Sequence, residues 1–207
     1  MSMSDVAATL DTMIDELRTD RLLLTPLTLD HVDAYYRVYG DPRTWEHLPT
    51  GRHTSRGESA RAIERSMQSR RTYGFGHCAV VLREPVGDLA PGTFLGSAGA
   101  AMLAFDAWNL GYRLAPEAWG HGLAREAARV SLDAARAIRP ETPVTARVLA
   151  ANTASVRVLE RLDLDLVWSG TSSDRPSGPD DTTHLERLVF ADRPLDDETL
   201  EAVIALG

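Results

Sequence analysis

The chain has 207 residues, 43% of them hydrophobic and 25% charged, with a net charge of −8. That length supports one domain with a full core. The acidic balance disfavours a phosphate-backbone partner such as nucleic acid, no apolar run approaches the roughly 20 residues a membrane helix needs, and a lone Cys78 excludes an internal disulfide or a cysteine-rich zinc site.

Residues 1–16 are a polar leader without a basic start or an apolar centre, so no signal peptide is expected and a cytoplasmic location is the default. Residues 17–27 predict a first strand, with Leu22, Leu23 and Leu24 at its centre and Pro26 near its end. Residues 28–39 predict a helix capped by Thr28 and ended by Gly40, with Val32, Tyr35, Tyr36 and Tyr39 as its apolar face. The loop 43–54 carries Trp45, His47, Pro49, Gly51 and His53; its two histidines lack the four-residue spacing of a helical metal pair, and no metal site is expected. Ser55-x-x-Glu58 fits a capping box at the head of a second helix, 55–71. Residues 75–83 and 93–103 predict strands joined by a loop with two prolines and two glycines. Cys78 falls in the first of these strands, where core packing is its expected role. Residues 107–114 predict the next strand, which feeds the central loop.

That loop precedes a helix over 123–139. Leu123, Ala127, Val130, Ala134 and Ala137 recur at spacings of three and four, while Arg125, Arg129, Asp133 and Arg136 fall on the other face. The N–H groups of a first helical turn have no partner inside the helix, and the macrodipole adds partial positive charge there. Gly120 and Gly122 allow close approach to the backbone, so the loop could cradle phosphate oxygens. A Gly-x-Gly ahead of a helix is equally an ordinary tight turn. The loop has neither the lysine of a P-loop nor the third glycine of the dinucleotide fingerprint, whose place Arg125 takes.

Beyond this helix, 143–149 predicts a strand with Val144, Ala146 and Val148 alternating, and 152–162 a short helix with Asn152 at its cap. A strand over 164–169, a loop rich in Ser, Pro, Gly and Asp over 170–181, a last strand over 182–191 and an acidic helical tail over 195–206 complete the chain. Alternating elements ending in a hairpin indicate an α+β fold on a mixed, mostly antiparallel sheet.

Asn109-Leu110-Gly111-Tyr112-Arg113-Leu114-Ala115-Pro116-Glu117, followed by Gly120-x-Gly122-x-Ala124-x-Glu126-Ala127, resembles the acyl-CoA-binding motif of the GNAT superfamily of N-acyltransferases. More narrowly it is similar to the RimJ/RimL-like branch, whose opening residues 17–49 also resemble. Gly122 and Ala124 fill the last fixed positions of that family's Gln/Arg-x-x-Gly-x-Gly/Ala loop, and Trp119 stands where Gln or Arg is usual. Asn152-x-x-Ser155-x-x-x-Leu159-x-x-Leu162 resembles the family's second motif, with Asp163 and Leu164 replacing its closing glycine and phenylalanine.

The resemblance implies one GNAT-like domain over 1–207, with 1–16 and 192–207 peripheral. It implies a twisted sheet with a central splayed strand pair and helices on both faces. Acetyl-CoA would be the co-substrate, without a metal, held by Leu114, Trp119, Gly120, His121, Gly122, Leu123, Ala124 and Asn152. The implied reaction is direct attack of a neutral primary amine on the thioester, the acceptor being a protein N-terminal α-amine or a small amine. Backbone N–H groups near Leu114 would stabilise the oxyanion. Ser155 would give a proton to the leaving thiolate, and its alternative role is to bond its own helix backbone. Many relatives place a glutamate where Asn109 stands, and Asn109 cannot serve as a base. Glu186 matches an acidic position on the family's last strand and is the expected base, through water; its alternative is a surface carboxylate paired with Arg187. His121 and His184 are the further candidates. All 22 basic residues are arginine, so the protein offers no lysine of its own for acylation. A non-catalytic acyl-CoA-binding module and a transferase of longer acyl groups fit the same motifs, and a homodimer is compatible with them.

Overall fold

The structure, a computed structural model, describes residues 15–171 and 184–206. Among the described residues eight strands form one sheet: β1 (Leu17–Arg18), β2 (Leu22–Pro26), β3 (His77–Leu82), β4 (Phe94–Met102), β5 (Trp108–Leu114), β6 (Val144–Leu149), β7 (Asp165–Gly170) and β8 (Arg187–Ala191). The helices are α1 (Val32–Tyr39), α2 (Arg56–Tyr73), α3 (Leu123–Ile138), α4 (Thr153–Leu159) and α5 (Asp197–Ala205). The strand order is β1-β2-β3-β4-β5-β6-β8-β7, antiparallel throughout except for β5–β6. This is the expected mixed, mostly antiparallel sheet with a splayed centre. Among the described residues no helix is long and apolar enough to cross a membrane.

Alternation along the strands feeds two cores. Leu22, Leu24, Val80, Leu82, Ala98, Ala100, Leu110 and Leu114 pack with Leu123, Ala127, Ala128, Leu132 and Ala135 of α3. Ala79 and Leu27 pack on the other side with Tyr35, Val38 and Tyr39 of α1 and Ile63 of α2. β4 is built of small residues because neighbouring backbone lies against it. A Cβ at Gly99 would stand 2.4 Å from the Gly76 carbonyl oxygen, and one at Gly96 would stand 2.1 Å from that of Arg113.

Five elements differ from what the sequence predicts. The strand expected over 17–27 is two strands, because Thr19 turns the chain: its N–H donates to the Leu22 carbonyl (3.0 Å) and its Oγ1 accepts from the Leu22 N–H (2.9 Å). On α1 the buried residues are Tyr35, Val38 and Tyr39, whereas the hydroxyl of Tyr36 reaches the Thr54 carbonyl at the rim. On α3 the buried face is Leu123, Ala127, Ala128, Ser131, Leu132, Ala134 and Ala135, with Ala137 exposed. Turning the helix to bury Leu132 removes more apolar area from water than burying Ala137 would. β8 begins only at Arg187, and most of the loop expected over 170–181, with Thr182 and Thr183, lies outside the described residues. In the α2 capping box Ser55 Oγ accepts from the Glu58 N–H as expected, but the Glu58 carboxylate turns back onto the N–H and hydroxyl of Thr54.

Two polar devices fix the strands that flank the splay. Asp192, whose side chain is 1% exposed, accepts from the Val144 N–H (2.9 Å) and from Arg136 (3.0 Å), tying the start of β6 to α3. On β3 the His77 ring packs against Gly111, where a Cβ would stand 3.0 Å from its Cε1. Burial lowers the His77 pKa to about 4. The unfolded chain would protonate this imidazole below about 6.5, while the folded chain resists until about 4. Stability is therefore complete above about pH 6.5 and falls as pH drops towards 4, by about 3 kcal/mol from this group. Urea midpoints measured across that window should fall more steeply for the parent than for His77→Gln. Parallel curves would assign the acid loss to other groups.

Candidate active site

The site begins where β5 and β6 part. They pair only at Trp108↔Val144 and Asn109↔Thr145. At that base the Trp108 N–H donates to the Pro143 carbonyl (2.8 Å), and the Trp108 carbonyl accepts from Thr145 Oγ1 (2.8 Å). On the other side, the Ala115 N–H donates to the Leu95 carbonyl of the β4 flank. In an antiparallel ladder the bonding direction alternates from residue to residue. Odd-numbered residues of β5 therefore bond to β4, and the N–H groups of Tyr112 and Leu114 point across the gap towards the departing β6. The phenol of Tyr112 spans the gap and donates to the Ser155 carbonyl of α4 (3.1 Å).

A cavity of about 340 Å³ fills the splay, lined by His47, Asn109, Gly111, Tyr112, Arg113, Arg147, Asn152, Ser155 and Arg187 among others. Asn152 caps α4, its Oδ1 accepting from the Ser155 N–H at 3.2 Å. That contact fulfils the plain capping reading and leaves the Asn152 amide nitrogen for other partners. Asn152 and Ser155 thus share the cavity wall, as their spacing requires.

The central loop stands at the end of β5. Gly120 and Gly122 both adopt positive φ, 80° and 76°, which side chains disfavour. A Cβ on Gly120 would meet nothing within 4 Å, and one on Gly122 would meet only Arg21 Nη2 at 3.8 Å. The mouth of the 16-residue α3 is thus open on the side of both glycines. Trp119 does not plug it: its indole N–H donates to the Leu114 carbonyl (2.9 Å), and the residue is 49% exposed. Glu126 in the first turn of α3 accepts from the Arg21 N–H (3.1 Å) and Nε (2.8 Å), and Arg21 Nη1 donates to the His121 carbonyl (2.9 Å). Arg21 therefore braces the loop from below and sets a cation beside it, a placement no spacing in the sequence reveals.

The expected proton acceptors lie away from the cavity wall. Glu186 is exposed and is engaged through its carbonyl, which accepts from the Ala150 N–H at 2.9 Å. His121 and His184 are exposed too. His47 instead lines the cavity, brought there by the two short turns Pro42–Trp45 and Pro49–Gly51. Burial pulls its pKa below the ordinary value, and the positive charge of Arg113 pulls it further. A half-buried imidazole of that kind is neutral at pH 7 and can take a proton. Nothing in the sequence marked this loop as a source of the proton acceptor, or His47 over its neighbour His53. Among the described residues no cluster of three His, Cys, Asp or Glu side chains gathers as a metal site would need.

Residues 21–165 match the family described as acetyltransferase (GNAT) domain. Among solved structures the chain is similar to an acetyltransferase from Agrobacterium tumefaciens str. C58, at 24% identity and a TM-score of 0.66 over 87% of this chain and 95% of that one. It is also similar to ribosomal-protein-S5-alanine acetyltransferase from Vibrio fischeri, at 14% identity and a TM-score of 0.65 over 88% and 97%. A third is RimL, a ribosomal L7/L12 alpha-N-protein acetyltransferase in complex with coenzyme A, at 17% identity and a TM-score of 0.62 over 84% and 94%. At these identities the likeness to solved structures is one of fold.

Proposed function

Since the chain belongs to the acetyltransferase (GNAT) domain family and is an acyl-CoA-dependent acetyltransferase, we propose that it transfers the acetyl group of acetyl-CoA to a primary amine, in the manner of the RimJ/RimL-like branch. One observation carries the reading. The two positive-φ glycines open the mouth of α3 next to a strand pair that splays into a cavity. We take 1–207 as one acyltransferase domain, supported by the continuous sheet.

The residues present fit the coenzyme. The space at both glycines lets a diphosphate reach the first-turn amides of Leu123 and Ala124, where the helix dipole favours negative charge. Trp119, Gly120 and His121 shape the approach to those amides, and Asn152 lines the path of the arm. Acetyl-CoA supplies the acetyl group already activated as a thioester. The Tyr112 and Leu114 amides, aimed across the splay, are placed to receive the oxyanion that develops at its carbonyl. Ser155 is the hydroxyl on the wall that can hand a proton to the departing thiolate; because a thiol has a pKa of about 8.5, that help is modest.

The nucleophile must arrive neutral. An N-terminal α-amine, with a pKa of about 7.7–8.0, is partly neutral at pH 7, which favours it over a lysine amine at about 10.4. Once the nitrogen has bonded carbon it becomes far more acidic, and His47, on the cavity wall, is the group we assign to take its proton. Glu186, outside the wall, would act only through water.

The test is thiol release from acetyl-CoA against a panel of peptides and small amines, run beside calorimetry with CoA. The reading expects CoA to bind and thiol to be released with at least one α-amine. Binding without release across the panel would leave a non-catalytic acyl-CoA module, and no binding at all would remove the coenzyme site.

A further inference from the structure

The wall of the cavity that faces away from α3 is cationic. Register places Asn109 level with Thr145, Arg147 level with Val189 and Leu149 level with Arg187. Paired residues share a face of the sheet, and Arg113 shares the face of Asn109 by its even spacing along β5. Arg113, Arg147 and Arg187 therefore stand on one side of the cavity they line. Among the described residues lining it there is no aspartate or glutamate. In a chain of net charge −8, cations gathered at one cleft run against the overall balance.

Arg113 is the informative member. Its guanidinium donates to the Thr44 carbonyl and lies 3.4 Å from the centre of the Trp45 ring and 5.6 Å from that of Tyr39. These contacts hold the group flat and in place, and none of them is an anion. Burial lowers its pKa, and among the described residues no carboxylate offsets that burial. Its charge also reaches His47, whose pKa it lowers. A desolvated guanidinium without a counter-charge is costly unless a ligand supplies one, and its fixed fork of donors matches a carboxylate.

We propose that the acceptor amine is carried by a molecule with a carboxylate within a few bonds of the nitrogen, and that Arg113, on the face it shares with Arg147, receives that carboxylate while the amine points at the splay. This rests on the amine-acetyltransferase reading above and narrows its substrate class. The carboxylate can be that of a free amino acid or an acidic side chain at the start of a peptide.

The experiment compares matched acceptors that differ only in charge: aspartate against asparagine, glutamate against glutamine, each as the free amino acid, its carboxamide and the first residue of an amidated tripeptide. The ratio of kcat/KM should favour the carboxylate by at least tenfold in one of two contrasts: acid over amide within a pair if a side-chain carboxylate is read, or free amino acid over its carboxamide if the α-carboxylate is read. Arg113→Gln should collapse that ratio to within about twofold, whereas Arg113→Lys, which keeps the charge, should retain part of it. If Arg113→Gln fails to fold, Arg147→Gln tests the same wall. Calorimetry with the N-acetylated products supplies a readout without turnover, and the carboxylate-bearing member of the preferred contrast should bind more tightly. Thiol release with no preference in either contrast overturns this inference and spares the proposed function. Selective binding of the acids without release with any acceptor does the reverse. Equal binding of acid and amide with no release overturns both.

Discussion

Replacing His47 by glutamine should lower kcat for acetyl transfer by about 10²–10⁴-fold, the range general-base catalysis supplies, with little change in the KM for acetyl-CoA. His47 is the titratable side chain of the described cavity wall that can accept a proton near pH 7, since the others there are arginines and the phenol of Tyr112. Burial keeps that phenol protonated well above its usual range. The electrostatics agree with the position. Burial and then Arg113 pull the His47 pKa below 6.5, so the proton-accepting form dominates at neutral pH. The sign of the pH dependence follows. The active form of His47 is unprotonated, so kcat should fall as pH drops below 6.5 and through the depressed His47 value. In kcat/KM a second rise belongs to the free acceptor amine, at about 7.7–8.0 for an α-amine. Initial rates from pH 5 to 9, for the parent and His47→Gln, check both limbs. If the variant keeps its rate while Glu186→Gln loses it, the proton leaves through water to Glu186 instead, and His47 is only part of the wall.

The parts of this site that were legible in the sequence were those written in local backbone chemistry. Gly120 and Gly122 ahead of a helix allow close approach to the backbone, and the structure puts both at positive φ. Asn152 announced a cap three residues before Ser155, and the cap forms. The order of strands and helices was readable for the same reason, since period and punctuation are local. Facing directions were less so: α3 turns to bury Leu132 because of what β4 and β5 offer it, and no helical stripe read in isolation contains that information. The chemistry of the acceptor side was illegible for a stronger reason. His47 comes from a loop between α1 and α2, Arg113 from β5, and Arg147 and Arg187 from β6 and β8. Only the register of the sheet sets the arginines on one face, and only the turns at Pro42 and Pro49 bring His47 over them. Glu186 matches an acidic family position, and that correspondence says nothing about whether its side chain reaches the cavity.

Replacing Gly122 by valine should weaken binding of CoA by about two orders of magnitude while leaving the acceptor's charge preference intact. Two effects add. At φ 76° a β-branched residue is held in the left-handed region, a strain of about 1–3 kcal/mol. The loop would relieve that strain by turning the amides of Leu123 and Ala124 away from the line of α3. A hydrogen bond to a charged oxygen contributes about 1.5–3 kcal/mol, so misdirecting one or two of them accounts for the loss. Gly120→Ala is the informative companion. Its φ of 80° imposes a similar backbone strain, but its Cβ would project into open space, with no atom within 4 Å. It should cost some thermal stability and weaken CoA by no more than about tenfold. Calorimetric Kd values for CoA and for pantetheine separate the contributions: the penalty in Gly122→Val should vanish for the fragment that has no diphosphate. An equal penalty for both ligands would mean that valine disturbs the arm between Tyr112 and Asn152, and that the mouth of α3 does not hold phosphate.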